Sequence, residues 1–376
     1  MAIVCSRHAN LTLVDVTSCL VDVMRPRPAS EYRGRPLFCV AIEKIAVDST
    51  NPTANTAPHI MFSVDPALFT DGSISAETRE INQSILDKLA TEPDQWAMPI
   101  AELRARRARG EGPFPLPPKS PRAIDEEING DYNSVNVRII APEKPTGVYL
   151  HLHGGGFVLG TADQQDARME MLVENCGLAT VSVDYRLAPE HPHPAAPDDS
   201  ERAALWLIEN SKKRFGTDRL LIGGESAGAH LAVVTMLRLR DKYGLNSFCG
   251  ANLNSGWYDL GLTPSVRRWG DQKLVLNTRD LNIFLKYFVP ENFSVTDPDI
   301  SPLYADLTSL PPALFTTGTR DPLLDDSLFM ASRWQASGNP SELAVYPGGA
   351  HVFVSFAGKL AEEGRTRIET FLNQCK

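Results

Sequence analysis

Apolar residues are spaced in two different ways along this 376-residue chain. From about residue 122 onward, short apolar runs alternate with longer stretches whose apolar positions recur every three or four residues. The runs predict strands at 135–140, 147–152, 178–183, 220–223, 313–318 and 342–346. The run at 178–183 is apolar on both faces, as a buried parallel strand requires. The intervening stretches predict helices over about 164–175, 197–213 and 227–243, and further helices after the last two strands. The helix at 197 opens on Asp198, Asp199 and Ser200, a polar cap with an acidic first turn. Strand and helix in alternation predict an α/β fold, a mostly parallel sheet wrapped by helices on both faces.

Upstream the texture changes. Residues 1–60 lack periodicity and end in a loop-like segment between Asn51 and Pro58, with Met61 just beyond. They read as a leader with no part in the chemistry. A dimer arm, which would make the protein a homodimer, or a cap extension is the alternative. From Ser75 an amphipathic helix carries Ile81, Ile85, Leu86 and Leu89 on one face, and a second helix covers about 97–109. Arg104, Arg106, Arg107 and Arg109 in that second helix read as a solvated face. Pro113, Pro115, Pro117, Pro118 and Pro121 then make a stiff, extended connector.

Composition narrows the function by exclusion. The chain has 37 basic and 46 acidic side chains, a net charge of −9, so it lacks the basic stripe that nucleic-acid binding needs. No uncharged apolar run reaches the roughly 18–20 residues of a membrane span. Arg7, His8, Asn10 and Asp15 interrupt anything resembling a secretory signal. Cys5, Cys19, Cys39, Cys176, Cys249 and Cys375 are dispersed, with neither disulfide-scaffold nor metal-ligand spacing. They read as reduced thiols in a cytoplasmic protein, and no metal is expected.

Three segments carry chemistry. Gly224-Glu225-Ser226-Ala227-Gly228 sits between a strand and a helix, where a sharp turn pushes the Ser226 hydroxyl out of the sheet. Taken alone, the same residues also describe a glycine-rich turn with an incidental serine. His153-Gly154-Gly155-Gly156-Phe157 follows an earlier strand, and its glycines leave backbone N–H groups free to stabilise an oxyanion, with Ala227 N–H as a further donor. A flexible turn or a phosphate loop is the other reading, but no G-x-G-x-x-G or G-x-x-x-x-G-K pattern accompanies it. His153 reads as a brace for this loop. A serine hydroxyl needs a base and an orienting carboxylate. Asp321 follows the strand at 313–318, and His351 follows the last strand in a glycine-rich loop. Asp325 and Asp326 read as dipole-complementing residues of a helix first turn, and His230 reads as structural.

From about 120 to its end, the chain resembles the hormone-sensitive-lipase family of esterases, bacterial family IV. The shared marks are residues 153–157, Asp184-Tyr185-Arg186-Leu187-Ala188-Pro189-Glu190, the Ser226 turn, Asp321-Pro322-Leu323 and His351, in the order Ser, Asp, His used by α/β-hydrolases. Glu225 stands where the family usually has Asp or Thr, which aligns the chain with the acidic branch. The resemblance implies an α/β-hydrolase fold over 121–376, no cofactor, and a helical cap built from 61–120 and an insertion at about 260–300. It implies carboxylesterase activity on small esters with short acyl chains. Ser226, Asp321 and His351 would be catalytic, and Gly155, Gly156 and Ala227 would form the oxyanion hole. His153 and Gly154 would support the loop, and Phe157, Glu225, Trp257 and Tyr258 would line the substrate pocket. The same residues suit an amidase, peptidase or lactonase. A receptor on this fold, as in gibberellin receptors that lack the histidine, is the non-enzymatic alternative.

Overall fold

The computed structural model describes residues 63–129 and 134–376. The segment expected to be a leader, with Cys5, Cys19 and Cys39, lies outside the described residues. Eight strands form one sheet: β1 Ile124–Ile128, β2 Val135–Ile140, β3 Gly147–Leu152, β4 Leu178–Asp184, β5 Leu220–Glu225, β6 Phe248–Asn254, β7 Ala313–Arg320 and β8 Ser341–Ala350. Their order is β1-β2-β4-β3-β5-β6-β7-β8. β2 runs antiparallel to both its neighbours, and every other pairing is parallel. The six predicted strands are present. β1 and β6 are additional. In β1, the charges of Asp125, Glu126 and Glu127 hide an edge strand whose acids pair with Arg138 and Arg214. β6 holds Cys249, Gly250, Ala251 and Asn252, which lack the apolar bulk that marks a strand.

Five helices flank or follow this sheet. The α/β-hydrolase arrangement separates the core in two, because neighbouring residues of a strand face opposite sides. Val148, Leu150, Leu152, Ile222 and Phe315 pack against the helices Ala195–Phe215 and Ala227–Tyr243. Tyr149, Leu221 and Leu314 pack against Asp166–Cys176 and Lys359–Gln374. The helix Ala227–Tyr243 is buried from Ala227 to Leu239, which explains its apolar character all round. The helix expected at 197 begins at Ala195, and Asp199 does not cap it. Its carboxylate instead binds the Arg186 guanidinium and N–H.

Among the described residues, the α-helices in chain order are α1 Ala76–Thr91, α2 Ile100–Ala108, α3 Asp166–Cys176, α4 Ala195–Phe215, α5 Ala227–Tyr243, α6 Pro264–Trp269, α7 Thr278–Phe288, α8 Leu324–Ala336 and α9 Lys359–Gln374. α6 and α7 lie in the insertion between β6 and β7. α7 is set by a reciprocal cap between Asn277 and Asp280. The segment before α2 docks on it: Trp96 Nε1 donates to Asp280 Oδ1 at 2.5 Å, and Arg279 pairs with Asp94 at 2.8 Å. α1 touches both β8 and the insertion: Asn82 Nδ2 donates to Gly348 O in β8 at 2.8 Å, and Ile85 clusters with Leu274 of the insertion and Ala350 of β8.

Candidate active site

The serine turn is shaped by crowding. The start of α5 crosses the end of β3 so closely that a Cβ on Gly228 would overlap Leu152 O. Ser226, between β5 and α5, is held at φ 56° and ψ −119°, a conformation that non-glycine residues occupy only when the surroundings enforce it. Ser226 N–H donates to Asn254 O on the neighbouring strand at 2.9 Å, which ties the turn to β6. The first turn of α5 points its unsatisfied N–H groups at the serine, favouring negative charge there.

Strand pairing delivers the other two groups. β7 and β8 pair as far as Arg320 with Ala350, and a bulge between Gly318 and Arg320 takes up the surplus residues of β8. Asp321 and His351 are the next residue of each strand, so they emerge side by side. The stretch 347–350, expected as a loop, is thus the last part of β8. His351 Nδ1 lies 3.0 Å from both Asp321 oxygens, and its Nε2 lies 2.9 Å from Ser226 Oγ. Beside an ionised carboxylate Nδ1 carries the proton, leaving Nε2 to accept from the serine hydroxyl. Leu323 N–H also donates to Asp321 Oδ1 at 2.9 Å, and Val352 N–H is held by Ser255 Oγ at 3.2 Å. Ser226, Asp321 and His351 are all buried.

The glycine loop faces them. Gly155 has φ 120°, and a Cβ there would overlap Leu159 O. Its carbonyl accepts from Val158 and Leu159 N–H, folding the loop back on itself. Among the described residues, no hydrogen bond engages the N–H of Gly155 or Gly156, and Ala227, first in its helix, has no intrahelical acceptor. Gly154 N–H donates to Glu225 Oε1 at 2.7 Å, and His151 Nε2 lies 3.1 Å from Glu225 Oε2. Burial alone would raise the Glu225 carboxyl, but His151, Arg168 and the Gly154 N–H outweigh it and hold the group at about 2. His153 stacks on Tyr185 with ring centroids 4.2 Å apart, and its Nδ1 lies 2.8 Å from Gly154 O. Tyr185 OH donates to His153 O at 2.7 Å. Burial lowers the His153 pKa, so the ring is neutral and fastens the loop.

The four residues expected to line the pocket are packed in the interior. Phe157 stacks face to face on Phe288 at 3.8 Å. Glu225 is engaged as described. Trp257 donates from Nε1 to Asp259 O, and its carbonyl takes the His230 ring at 2.7 Å. Tyr258 is fully buried against Phe315.

Two expectations change. Arg104 does not sit on a solvated face. It donates from Nε to Val158 O at 2.8 Å and from Nη2 to Ala188 O at 2.6 Å, clamping the glycine loop. Its helix pattern gave no hint, since both acceptors are backbone carbonyls far along the chain. Asp326 is in the first turn of α8 as expected, but its carboxylate turns away from the helix. It accepts from Tyr258 N–H at 2.8 Å, Asp259 N–H at 2.9 Å and Thr263 Oγ1 at 2.7 Å, fixing the base of the insertion. Burial pushes its pKa up to about 7. Phe284, one apolar residue among many in the insertion, lies with its ring against Gly156, where a Cβ would overlap it.

Among the described residues, no group of three His, Cys, Asp or Glu side chains is placed to hold a metal ion, and no helix is long and apolar enough to cross a membrane. Residues 149–355 match the model of a family described by its alpha/beta hydrolase fold. The chain is 32% identical over 234 residues to an acetyl esterase of Salmonella choleraesuis, covering 60% of this chain and 71% of that enzyme. It is similar to the solved Pyrobaculum calidifontis esterase, with 28% identity and a TM-score of 0.70 over 80% of this chain and 98% of that one. An ester-hydrolase from the metagenome of Lake Arreo, solved with a bipyridine phosphonate derivative, matches with 29% identity and a TM-score of 0.70, over 80% and 97% of the two chains.

Proposed function

Since this chain belongs to the alpha/beta hydrolase fold family, in its hormone-sensitive-lipase branch, and is a carboxylic ester hydrolase, we propose that it cleaves small esters of short acyl chains through Ser226, His351 and Asp321. The observation that carries the reading is the unbroken line of contacts from Asp321 through His351 to Ser226 Oγ, at 3.0 and 2.9 Å. His351 Nε2 takes the proton as Ser226 Oγ bonds to the ester carbonyl carbon. The carbonyl oxygen becomes an oxyanion and receives the N–H groups of Gly155, Gly156 and Ala227, each such donor lowering the barrier by about 3–4 kcal/mol. His351 then protonates the departing alkoxide, leaving Ser226 acylated. A water molecule, deprotonated by the same imidazole, attacks the acyl carbon and releases the acid. Asp321 holds the ring in its productive tautomer and stabilises the imidazolium.

Two features support the short-acyl preference: the name of the Salmonella relatives, acetyl esterase, and the aromatic cover over Gly156. The free thiols Cys176, Cys249 and Cys375 suit a reducing compartment, and we place the enzyme in the cytoplasm. Ser226→Ala is expected to abolish p-nitrophenyl acetate hydrolysis and fluorophosphonate labelling while leaving thermal unfolding cooperative. Turnover surviving in that variant would remove Ser226 from the nucleophile's role. A series of esters of increasing acyl length, assayed beside an anilide and a lactone, tests the substrate class.

A further inference from the structure

We propose that Phe284 is the residue that limits acyl-chain length in this enzyme, an inference that rests on Ser226 as nucleophile and on Gly155 and Gly156 as oxyanion donors. A carbonyl whose oxygen lies against those N–H groups sends one of its two substituents past the glycine loop, and we assign that side to the acyl chain. The Phe284 ring occupies that side, pressed on Gly156. One ring touches it directly, and two further contacts hold the helix that carries it. Phe288, one turn further along α7, stacks on Phe157 at 3.8 Å with only 12° between the planes, locking the helix to the loop. Trp96 meets Phe284 edge-on, with centroids 5.1 Å apart and planes at 84°. Trp96 is in turn anchored to Asp280 on the same helix as Phe284. These contacts oppose displacement of the ring by a longer chain.

The test compares kcat/KM for p-nitrophenyl acetate, butyrate and octanoate in the full-length wild-type chain, Phe284→Ala and Phe284→Leu. The octanoate-to-acetate ratio is expected to rise at least tenfold in Phe284→Ala and about threefold in Phe284→Leu, which keeps apolar volume in the cap. An unchanged ratio in cooperatively unfolding variants overturns the inference. A parallel series of acetate esters of longer alcohols separates the two sides of the site. A shift confined to that series also overturns it, because Phe284 would then bound the alcohol. If Phe284→Ala does not fold, the Phe284→Leu ratio decides alone. Activity retained by Ser226→Ala would instead show that the underlying nucleophile assignment has failed, whereas an inactive Ser226→Ala with a flat ratio removes Phe284 only.

Discussion

Neighbours fix the tautomer of the histidine that faces Ser226. Asp321 accepts from Leu323 N–H and lies 3.0 Å from His351 Nδ1, so a carboxylate there makes Nδ1 the protonated nitrogen and Nε2 faces the serine. In Asp321→Asn the amide can donate to Nδ1, which places the ring proton on Nε2, where it cannot serve as a base. A fall of about 10⁴ in kcat with little change in KM is expected, read by steady-state kinetics on p-nitrophenyl acetate. His230 responds to pH through stability. Burial lowers its pKa to about 4, although the Trp257 carbonyl favours the protonated ring. The unfolded chain thus takes up a proton near pH 6.5 that the native state refuses, and stability falls as pH drops from there toward 4. This contributes a loss of about 2 kcal/mol between pH 7.5 and 5. His230→Gln keeps a donor for Trp257 O but does not titrate, and urea unfolding at the two pH values should show a correspondingly smaller loss. The roles proposed for Ser226, Asp321 and His351 were legible at this scale because each sits in a short motif of distinctive residues. Arg104 was not, because a guanidinium that binds backbone carbonyls leaves no mark in its partners' identities.

Elements hold the site through a few long-range attachments. α2 reaches the glycine loop through Arg104, and its two carbonyl contacts fix Val158 and Ala188 on either side of Phe157 O, which accepts from Ala188 N–H. Arg104→Ala should leave KM within twofold while lowering kcat about tenfold, since the loop N–H groups matter most when the oxyanion has formed. Arg104→Lys, able to satisfy one carbonyl, should recover part of the loss, a graded effect that a merely folded-state role would not give. α8 holds the base of the insertion through Asp326. Asp326→Ala strands two buried backbone N–H groups and the Thr263 hydroxyl, with an expected loss of about 3 kcal/mol in urea unfolding. Asp326→Asn should stay within about 1 kcal/mol of wild type. Its amide oxygen can accept from Tyr258 and Asp259 N–H, and its NH₂ can donate to Thr263 Oγ1. Elements with strong apolar periodicity were legible in the sequence. β1 and β6 were not, because sheet pairing made strands of residues whose own pattern is acidic or small.

Across the whole molecule, the sheet, the helices from Ala76 to Gln374 and the proposed site all fall within the described residues, and solved esterases match over 80% of this chain while aligning along nearly all of their own length. A chain beginning at Met61 is therefore expected to unfold cooperatively and to keep kcat/KM for p-nitrophenyl acetate within about threefold of the full-length protein. Loss of all activity in that shortened chain would assign residues 1–60 a necessary part. The sequence by itself determined the alternation of strands and helices, the buried parallel character of the central strands and the glycine-flanked serine, since periodicity and turn chemistry act over a few neighbouring residues. Tertiary structure alone decided that Arg320 pairs with Ala350, so that Asp321 and His351 emerge together. It alone laid Phe284 on Gly156 and brought Arg104 to the glycine loop. Those contacts join segments far apart in the chain, and they form only once sheet order and helix packing have brought the segments together. No local pattern of residues encodes that closure.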